Sequence, residues 1–223
     1  MKGKKIVVFV GPSVDKEAAK EILGRGYDVE YLPPAKRGDV SKAANDGAEI
    51  ICLIDGVFFQ DSAVAHREIL YALKNGVKVI GSSSMGALRA SELDLYGMQG
   101  VGKIYEWYKS GKLVSDDEVA LFFDPVYFKP LSEPLVNIRY NLRIAEAEGV
   151  IDRDACEKIL KIAKSLYFPD RTYQRILDAA EGVIDGDTLK RFRRFIEAEK
   201  RDIKMDDAIE ALKRVRDINE VTE

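Results

Sequence analysis

The chain has 223 residues, with 35 Lys and Arg against 38 Asp and Glu and a formal net charge of -3. This balance leaves no positive surplus to hold a phosphate backbone, so it argues against a nucleic-acid binder. No stretch approaches the roughly 20 apolar residues of a membrane-spanning helix. The apolar run that starts at Ile6 is too short for a signal peptide, since Gly11 and Pro12 end it. We expect a soluble, cytoplasmic protein.

In the first part of the chain, short β-branched runs alternate with helical periods. This pattern predicts βαβ units and a parallel sheet covered by helices on both faces. The predicted strands are residues 5–10, 28–32, 49–54 and 77–80. The predicted helices are residues 14–23, 39–44, 62–74, 85–95 and 101–109.

From residue 134 onward the period is helical only. All but three of the 17 glycines precede residue 125, so the composition also changes there. The predicted helices of this part are residues 135–147, 153–166, 172–180, 187–200 and 206–215. We predict an α/β fold: a small doubly wound, mostly parallel, Rossmann-like sheet in residues 1–125, followed by an α-helical C-terminal region in residues 126–223.

The cysteine and carboxylate patterns predict no metal centre. Cys52 and Cys156 lie far apart without CxxC or Cys/His spacing, so we expect two buried thiols. The acidic run that starts at Asp116 could attract a divalent cation, but acids at the start of a helix more often complement its dipole. The Gly-rich loops lack a GxGxxG or P-loop pattern. We therefore expect no cofactor.

Ligands of open α/β sheets bind beyond the carboxyl ends of the strands. Polar or Gly-rich runs follow all four predicted strands, at residues 11–13, 33–39, 55–56 and 81–86. Asp55 closes an apolar strand, where a carboxylate either orients a ligand or forms a turn. Ser13 either caps the next helix or forms an S-x-x-K pair with Lys16. Both alternatives remain open on the pattern alone.

The run after the fourth strand presents Ser84 between a strand and a helix. A sharp turn of this kind can give a serine nucleophile an oxyanion hole made of backbone N–H groups. Gly86 permits close approach, but the full GxSxG string is absent. The alternative is that one of the three consecutive serines caps the helix.

A serine nucleophile also needs a base. His66 is the one histidine, and on a helix it is either that base or a surface residue. Lys36 belongs to the loop after the second strand, and it could act if burial lowered its pKa. Arg89 either contacts a substrate carboxylate or forms an i,i+3 salt bridge with Glu92.

Three strings resemble the core of TfuA-type proteins. They are DGVFFQDSAVAHREIL at residues 55–70, GSSSMGALRASELDLYGMQGVGKIYEWY at 81–108 and DDEVAL at 116–121. YLPPAKRGDV at residues 31–40 and GPS at 11–13 agree with the N-terminal strand ends of that family. TfuA proteins accompany YcaO enzymes, which use ATP to activate a peptide amide oxygen for replacement by sulfur. The resemblance covers about the first 125 residues.

The resemblance implies a protein that binds a ubiquitin-like sulfur carrier and hydrolyses its C-terminal thiocarboxylate. Sulfide would then be released beside YcaO for thioamidation of a recruited peptide, which in methanogenic archaea is methyl-coenzyme M reductase. The alternative function is a non-catalytic adaptor that docks the carrier and the peptide onto YcaO. A third is a nucleotide-binding regulator.

The resemblance also implies a Ser-Lys site. It places the nucleophile at Ser84, and we assign the base to Lys36. Arg67 stands where many relatives have a lysine, and an arginine cannot act as a base at neutral pH. The remaining implied roles are oxyanion donation by the N–H groups of Met85 and Gly86, and substrate binding by Ser13, Asp55, His66 and Arg89.

Overall fold

The structure, a computed structural model, describes residues 4–58 and 62–220. Within these ranges the chain forms two compact units. The first unit contains the described residues up to Val114 together with those from Lys204 onward, and the second is Ser115–Ile203. The expected division lay between residues 125 and 126. In the structure the boundary lies between Val114 and Ser115, and the last helix returns to the first unit.

The first unit contains a five-stranded sheet in the order β2-β1-β3-β4-β5, and every neighbouring pair of strands is parallel. The strands are β1 Lys5–Phe9, β2 Asp28–Leu32, β3 Ile50–Leu53, β4 Lys78–Ser82 and β5 Gln99–Val101. All four predicted strands are present, with ends that differ by at most two residues. β5 was not predicted, because it has only three residues, includes Gly100 and lacks an apolar run.

Helices cover both faces of this sheet, which confirms the doubly wound α/β fold. Val7 and Phe9 of β1 face one core, and Ile6 and Val8 face the other, as the alternation of a strand requires. The helices of the first unit are α1 Lys16–Leu23, α2 Asp39–Asn45, α3 His66–Lys74, α4 Met85–Leu93, α5 Lys103–Lys109 and α10 Ile203–Glu220.

The last helix, α10, belongs to the core of the sheet. Its buried residues Ala208, Leu212 and Val215 share a cluster with Ile6 and with residues of α1. The sequence analysis placed residues 206–215 in a separate C-terminal helical region. Periodicity shows that a helix has an apolar stripe, but it does not show which surface the stripe covers.

The second unit is helical. Its helices are α6 Leu135–Ala147, α7 Arg153–Ser165, α8 Tyr173–Ala180 and α9 Gly186–Glu199. Asp117 forms an ion pair with Arg171, and Glu118 forms one with Arg139.

Among the residues described, no group of three or more His, Cys, Asp or Glu is arranged to hold a metal ion. No helix within the described ranges combines the length and apolar character needed to cross a bilayer.

Candidate active site

The strand order sets the place of the site. In a sheet ordered 2-1-3-4-5 the winding reverses between β1 and β3, and ligands of such folds bind outside the carboxyl ends of the strands at this switch point. β1 leads to Ser13, and β3 leads to Asp55. Two of the four polar runs expected at one edge of the sheet, residues 11–13 and 55–56, therefore flank the switch point.

Ser13 and Asp55 join the two strand ends. The Ser13 hydroxyl donates to one carboxylate oxygen of Asp55 at 2.7 Å, and the Ser13 backbone N–H donates to the other at 3.0 Å. Both residues are buried. Ser13 is therefore not the cap of α1, a role taken by Asp15, whose carboxylate accepts from the N–H of Ala18. Asp55 is a fixed, buried acceptor rather than a turn-forming surface residue.

The charge of Asp55 is compensated by a residue that the sequence analysis missed. Burial raises the pKa of Asp55, whereas the positive charge of Lys204 and the hydrogen bonds from Ser13 and Gly11 lower it. Lys204 is 2% exposed and lies in the first turn of α10. The sequence analysis started this helix at residue 206 and therefore left Lys204 outside it. The signal that could have included Lys204 is its helical spacing, four residues before the apolar Ala208.

Two of the three consecutive serines hold α10. The Ser83 hydroxyl donates to the backbone carbonyl of Lys204 at 2.8 Å. The Ser82 hydroxyl lies 2.8 Å from the carbonyl of Val101 and 2.9 Å from that of Asp207. Ser83 also has a φ of 64°, a left-handed backbone conformation that residues other than glycine rarely adopt. The strained position of the turn is thus Ser83, with a hydroxyl bonded to the main chain of α10.

Ser84 differs from its two neighbours. It occupies the N-cap position of α4, but its side chain makes no capping hydrogen bond, and no other described residue bonds to its hydroxyl. Ser84 is only 2% exposed. Every fully buried side-chain nitrogen or oxygen among the residues described has a partner, so the Ser84 hydroxyl oxygen must retain access to solvent. A hydroxyl with this access is available to a ligand.

The two backbone groups predicted for the oxyanion differ. The N–H of Gly86 donates to the carbonyl of Ile54 at 3.2 Å, so it is occupied. Glycine is required there by close packing, since a Cβ atom would lie 1.7 Å from the carbonyl oxygen of Leu53. The N–H of Met85, the first residue of α4, has no partner among the described residues. Met85 is therefore the available donor of the two.

Lys36 is exposed in the structure. Its backbone N–H donates to the Asp39 carboxylate at 2.8 Å, and its side chain makes no ion pair or hydrogen bond with any described residue. The structure therefore does not join Lys36 to Ser84.

His66 and Arg89 belong to a second cluster, between α3 and α4. His66 Nε2 lies 2.8 Å from a carboxylate oxygen of Glu92, and an Arg89 guanidinium nitrogen lies 2.8 Å from the same oxygen. The i,i+3 salt bridge considered for Arg89 is confirmed. Arg89 also donates to the carbonyl of Val64. Both residues are thus tied to groups other than Ser84.

The first unit has an α/β fold in which Ser13 and Asp55 form a buried polar pair at the switch point of the parallel sheet. The charge of Lys204 acts on Asp55, and Ser84 follows the neighbouring strand β4. The family model of TfuA-like proteins matches residues 55–172, which is more than half of the chain. The chain therefore belongs to the TfuA-like family, and this confirms the resemblance of its motifs. No curated protein matches the chain. Membership of the family links the chain with thioamidation-related processes.

Proposed function

We propose that this TfuA-like protein hydrolyses the C-terminal thiocarboxylate of a ubiquitin-like sulfur carrier protein. The sulfide would be delivered to a YcaO enzyme for thioamidation of a peptide backbone, and the protein would help to recruit that peptide. The observation that carries this proposal is the Ser84 hydroxyl, which lies at the N-terminus of α4 without a hydrogen-bond partner among the described residues. A hydroxyl that keeps access to solvent and bonds to no described residue is available to bind a substrate.

In the proposed reaction Ser84 Oγ attacks the thiocarboxylate carbon and transfers its proton to a base. The negative charge that develops on the acyl oxygen is stabilised by the N–H of Met85 and by the positive end of the α4 dipole. The base then returns the proton to the sulfur, the C–S bond breaks, hydrosulfide leaves, and the carrier is held as an ester of Ser84. Water hydrolyses this ester, which returns the serine and frees the carrier with a C-terminal carboxylate.

Lys36 is the base in this proposal. It belongs to the loop that follows β2 at the carboxyl edge of the sheet, and it is exposed, so a bound carrier can contact it. A Lys36→Met variant should then lose sulfide release while binding of the carrier changes little. Equal release by this variant and the unsubstituted protein would remove Lys36 from the mechanism.

The central experiment measures sulfide released from a thiocarboxylated carrier. The unsubstituted protein should release sulfide above the rate of the carrier alone, and Ser84→Ala should reduce that release by about a thousandfold or more. Ser91→Ala is the matched control, because Ser91 lies on the same helix and bonds only to the carbonyl of Leu88. Release no faster than from the carrier alone would reject the hydrolase.

The second candidate is an adaptor that docks the carrier and the peptide onto YcaO without catalysis. The occupied N–H of Gly86 and the exposure of Lys36 favour it, because they leave the hydrolytic site with fewer prepared groups. If the protein is an adaptor, the S84A variant should support YcaO-dependent thioamidation as well as the unsubstituted protein does. Loss of thioamidation in the S84A variant, with the complex still assembled, would reject the adaptor.

A further inference from the structure

The strand β2 forms a free edge of the sheet. It pairs with β1, and no other described strand pairs with it. The Leu32 carbonyl accepts from the N–H of Val10 at 2.9 Å, so the main-chain groups of Leu32 point towards β1. In a parallel pair these groups alternate in direction along the strand, so those of Val29 and Tyr31 point to the free edge, where no described residue bonds to them. Such groups are a template for a further strand.

A groove of about 840 Å³ lies beside this edge and is lined by residues of β2 and α1. Val29 and Tyr31 line it, and both pack in one hydrophobic cluster with Ala18 and Ile22 of α1. An extended peptide added to β2 would bond through its main chain and place every second side chain in the groove. The edge and the groove together therefore fit an extended polypeptide.

Cations predominate along the α1 side of the groove. Lys16, Lys20 and Arg25 line it, against one acid of the same segment, Glu21. The side chains of Lys16 and Arg25 are exposed, and neither makes an ion pair or hydrogen bond with any described residue. The rise of α1 separates these two residues by roughly 10 to 13 Å, which an extended peptide covers in about four residues. Two carboxylates on the same face of one strand can therefore reach both cations.

The other acid that lines the groove, Glu30, belongs to the opposite face of β2. Side chains alternate along a strand, so Glu30 points away from the face that Val29 and Tyr31 share, and it lies 3.7 Å from the ammonium nitrogen of Lys5. Its charge also disfavours a second copy of the chain as the occupant. The antiparallel register that pairs Val29 of one copy with Tyr31 of the other sets two Glu30 carboxylates opposite each other. The cations of the groove instead favour an acidic peptide.

We propose that the free edge of β2 and the groove beside it bind an extended, acidic segment of the peptide that undergoes thioamidation. The segment adds to the sheet as a further strand. Its main chain bonds to Val29 and Tyr31, and its carboxylates face Lys16 and Arg25. The inference rests on the proposed function for the identity of the peptide. It assigns recruitment of that peptide to a surface outside the family match at residues 55–172.

The first test uses two synthetic peptides of ten residues. In one peptide glutamate alternates with threonine, and in the other lysine alternates with threonine. In an NMR titration of the full-length protein, the glutamate peptide should bind at least about tenfold more tightly, because its carboxylates meet Lys16 and Arg25. Equal affinities, tighter binding of the lysine peptide, or no binding of either peptide would overturn the proposal.

Hydrogen exchange locates the bound peptide. The amide hydrogens of Val29 and Tyr31 should exchange at least about tenfold more slowly when the protein is saturated with the glutamate peptide, because they become hydrogen-bonded. The amide hydrogen of Glu30, which already faces β1, should change little. Binding of the peptide without protection of Val29 and Tyr31 would show that no strand is added, and the proposal would fail.

Charge reversal tests the two cations. The double variant K16E/R25E should bind the glutamate peptide about tenfold or more weakly. The matched control is K42E/K74E, which changes two exposed lysines of α2 and α3, helices that pack on the opposite face of the sheet. This control should bind as the unsubstituted protein does. Equal binding by K16E/R25E and the unsubstituted protein, or an equal loss in the two double variants, would overturn the proposal.

Sulfide release separates this proposal from the hydrolase. The K16E/R25E variant should release sulfide from a thiocarboxylated carrier at the unsubstituted rate. If the unsubstituted protein releases no sulfide but the glutamate peptide protects Val29 and Tyr31, the hydrolase fails and the peptide site stands. If sulfide is released and the peptide protects neither residue, the peptide site fails and the hydrolase stands. Loss of sulfide release in K16E/R25E with unchanged peptide binding would assign the groove to the carrier and overturn the proposal.

Discussion

Buried polar residues are used differently in the two units. In the second unit the Arg171 guanidinium is 1% exposed, and it donates to the Asp117 carboxylate at 2.7 Å and to the carbonyls of Ala163 and Leu166 at 3.0 and 3.1 Å. In the first unit the residue Ser84 is nearly as buried, but its hydroxyl retains access to solvent and no described residue bonds to it. A buried charge with its partners is explained by folding, whereas a solvent-accessible hydroxyl without a partner is available to a ligand.

The largest expected effect comes from glycines in the first turn of a helix in each unit. A Cβ at Gly86 would meet the Leu53 backbone, whereas a Cβ at Gly186 would meet nothing within 4 Å. Gly86→Ala should lower the free energy of unfolding by about 4 kcal/mol or more, or prevent folding. Gly186→Ala should change it by less than about 1 kcal/mol. Urea denaturation measures both. Similar losses would show that close packing does not explain Gly86.

The contrast between Arg171 and Ser84 can be tested directly. Arg171→Met removes the buried guanidinium, which leaves the carbonyls of Ala163 and Leu166 without this donor and the partly exposed Asp117 without its cation, and should lower the free energy of unfolding by about 2 to 4 kcal/mol. Ser84→Ala removes a hydroxyl that stabilises nothing in the fold, and should change it by less than about 0.5 kcal/mol. A large loss of stability in S84A would mean that Ser84 is structural after all.

Asp207 should make the stability of the first unit depend on pH. Burial raises the pKa of Asp207 to about 7, above its unfolded value of about 3.9, although the hydrogen bonds from Ile104 and Lys103 oppose the shift. The folded state then holds a proton that the unfolded state releases, so stability falls as the pH rises from about 4 to about 7.

Asp207→Asn should remove this part of the pH dependence. The stability of the unsubstituted protein relative to D207N should decrease by about 2 to 4 kcal/mol over that interval. Denaturation of both proteins at several pH values provides the measurement. Parallel curves for the two proteins would contradict the assigned pKa.

The smallest effect concerns the two cysteines. Both are free and buried, which confirms the expectation of two buried thiols. Burial raises the pKa of Cys52, in the first unit, to about 12, and also raises the pKa of Cys156, in the second. A maleimide should label native Cys52 about a thousandfold more slowly than free cysteine at pH 8, because the thiolate reacts. Cys156 should react faster than Cys52, and both should react fully in urea. Rapid native labelling of Cys52 would show that its strand opens.

Local patterns were enough to predict most of the fold. α6 spans the predicted residues 135–147, and β2 spans the predicted residues 28–32. The rule that carboxyl ends of parallel strands share one edge placed Ser13, Asp55 and Ser84 there correctly. β5 was missed because three residues are too few for an apolar alternation. Of the alternatives for Ser13, capping of α1 is wrong, because the Ser13 hydroxyl bonds to a residue 42 positions away and Asp15 is the cap.

By itself the sequence determined the periodicity of its helices and strands, the parallel sheet that follows from their alternation, and membership of the TfuA-like family. Only the tertiary structure decided that α10 packs on the sheet, that the charge of Lys204 acts on Asp55 and that Ser82 and Ser83 hold α10 while Ser84 does not. The physical reason is that periodicity reflects neighbours along the chain. The burial and charge of a site depend on residues that only the folded chain brings together.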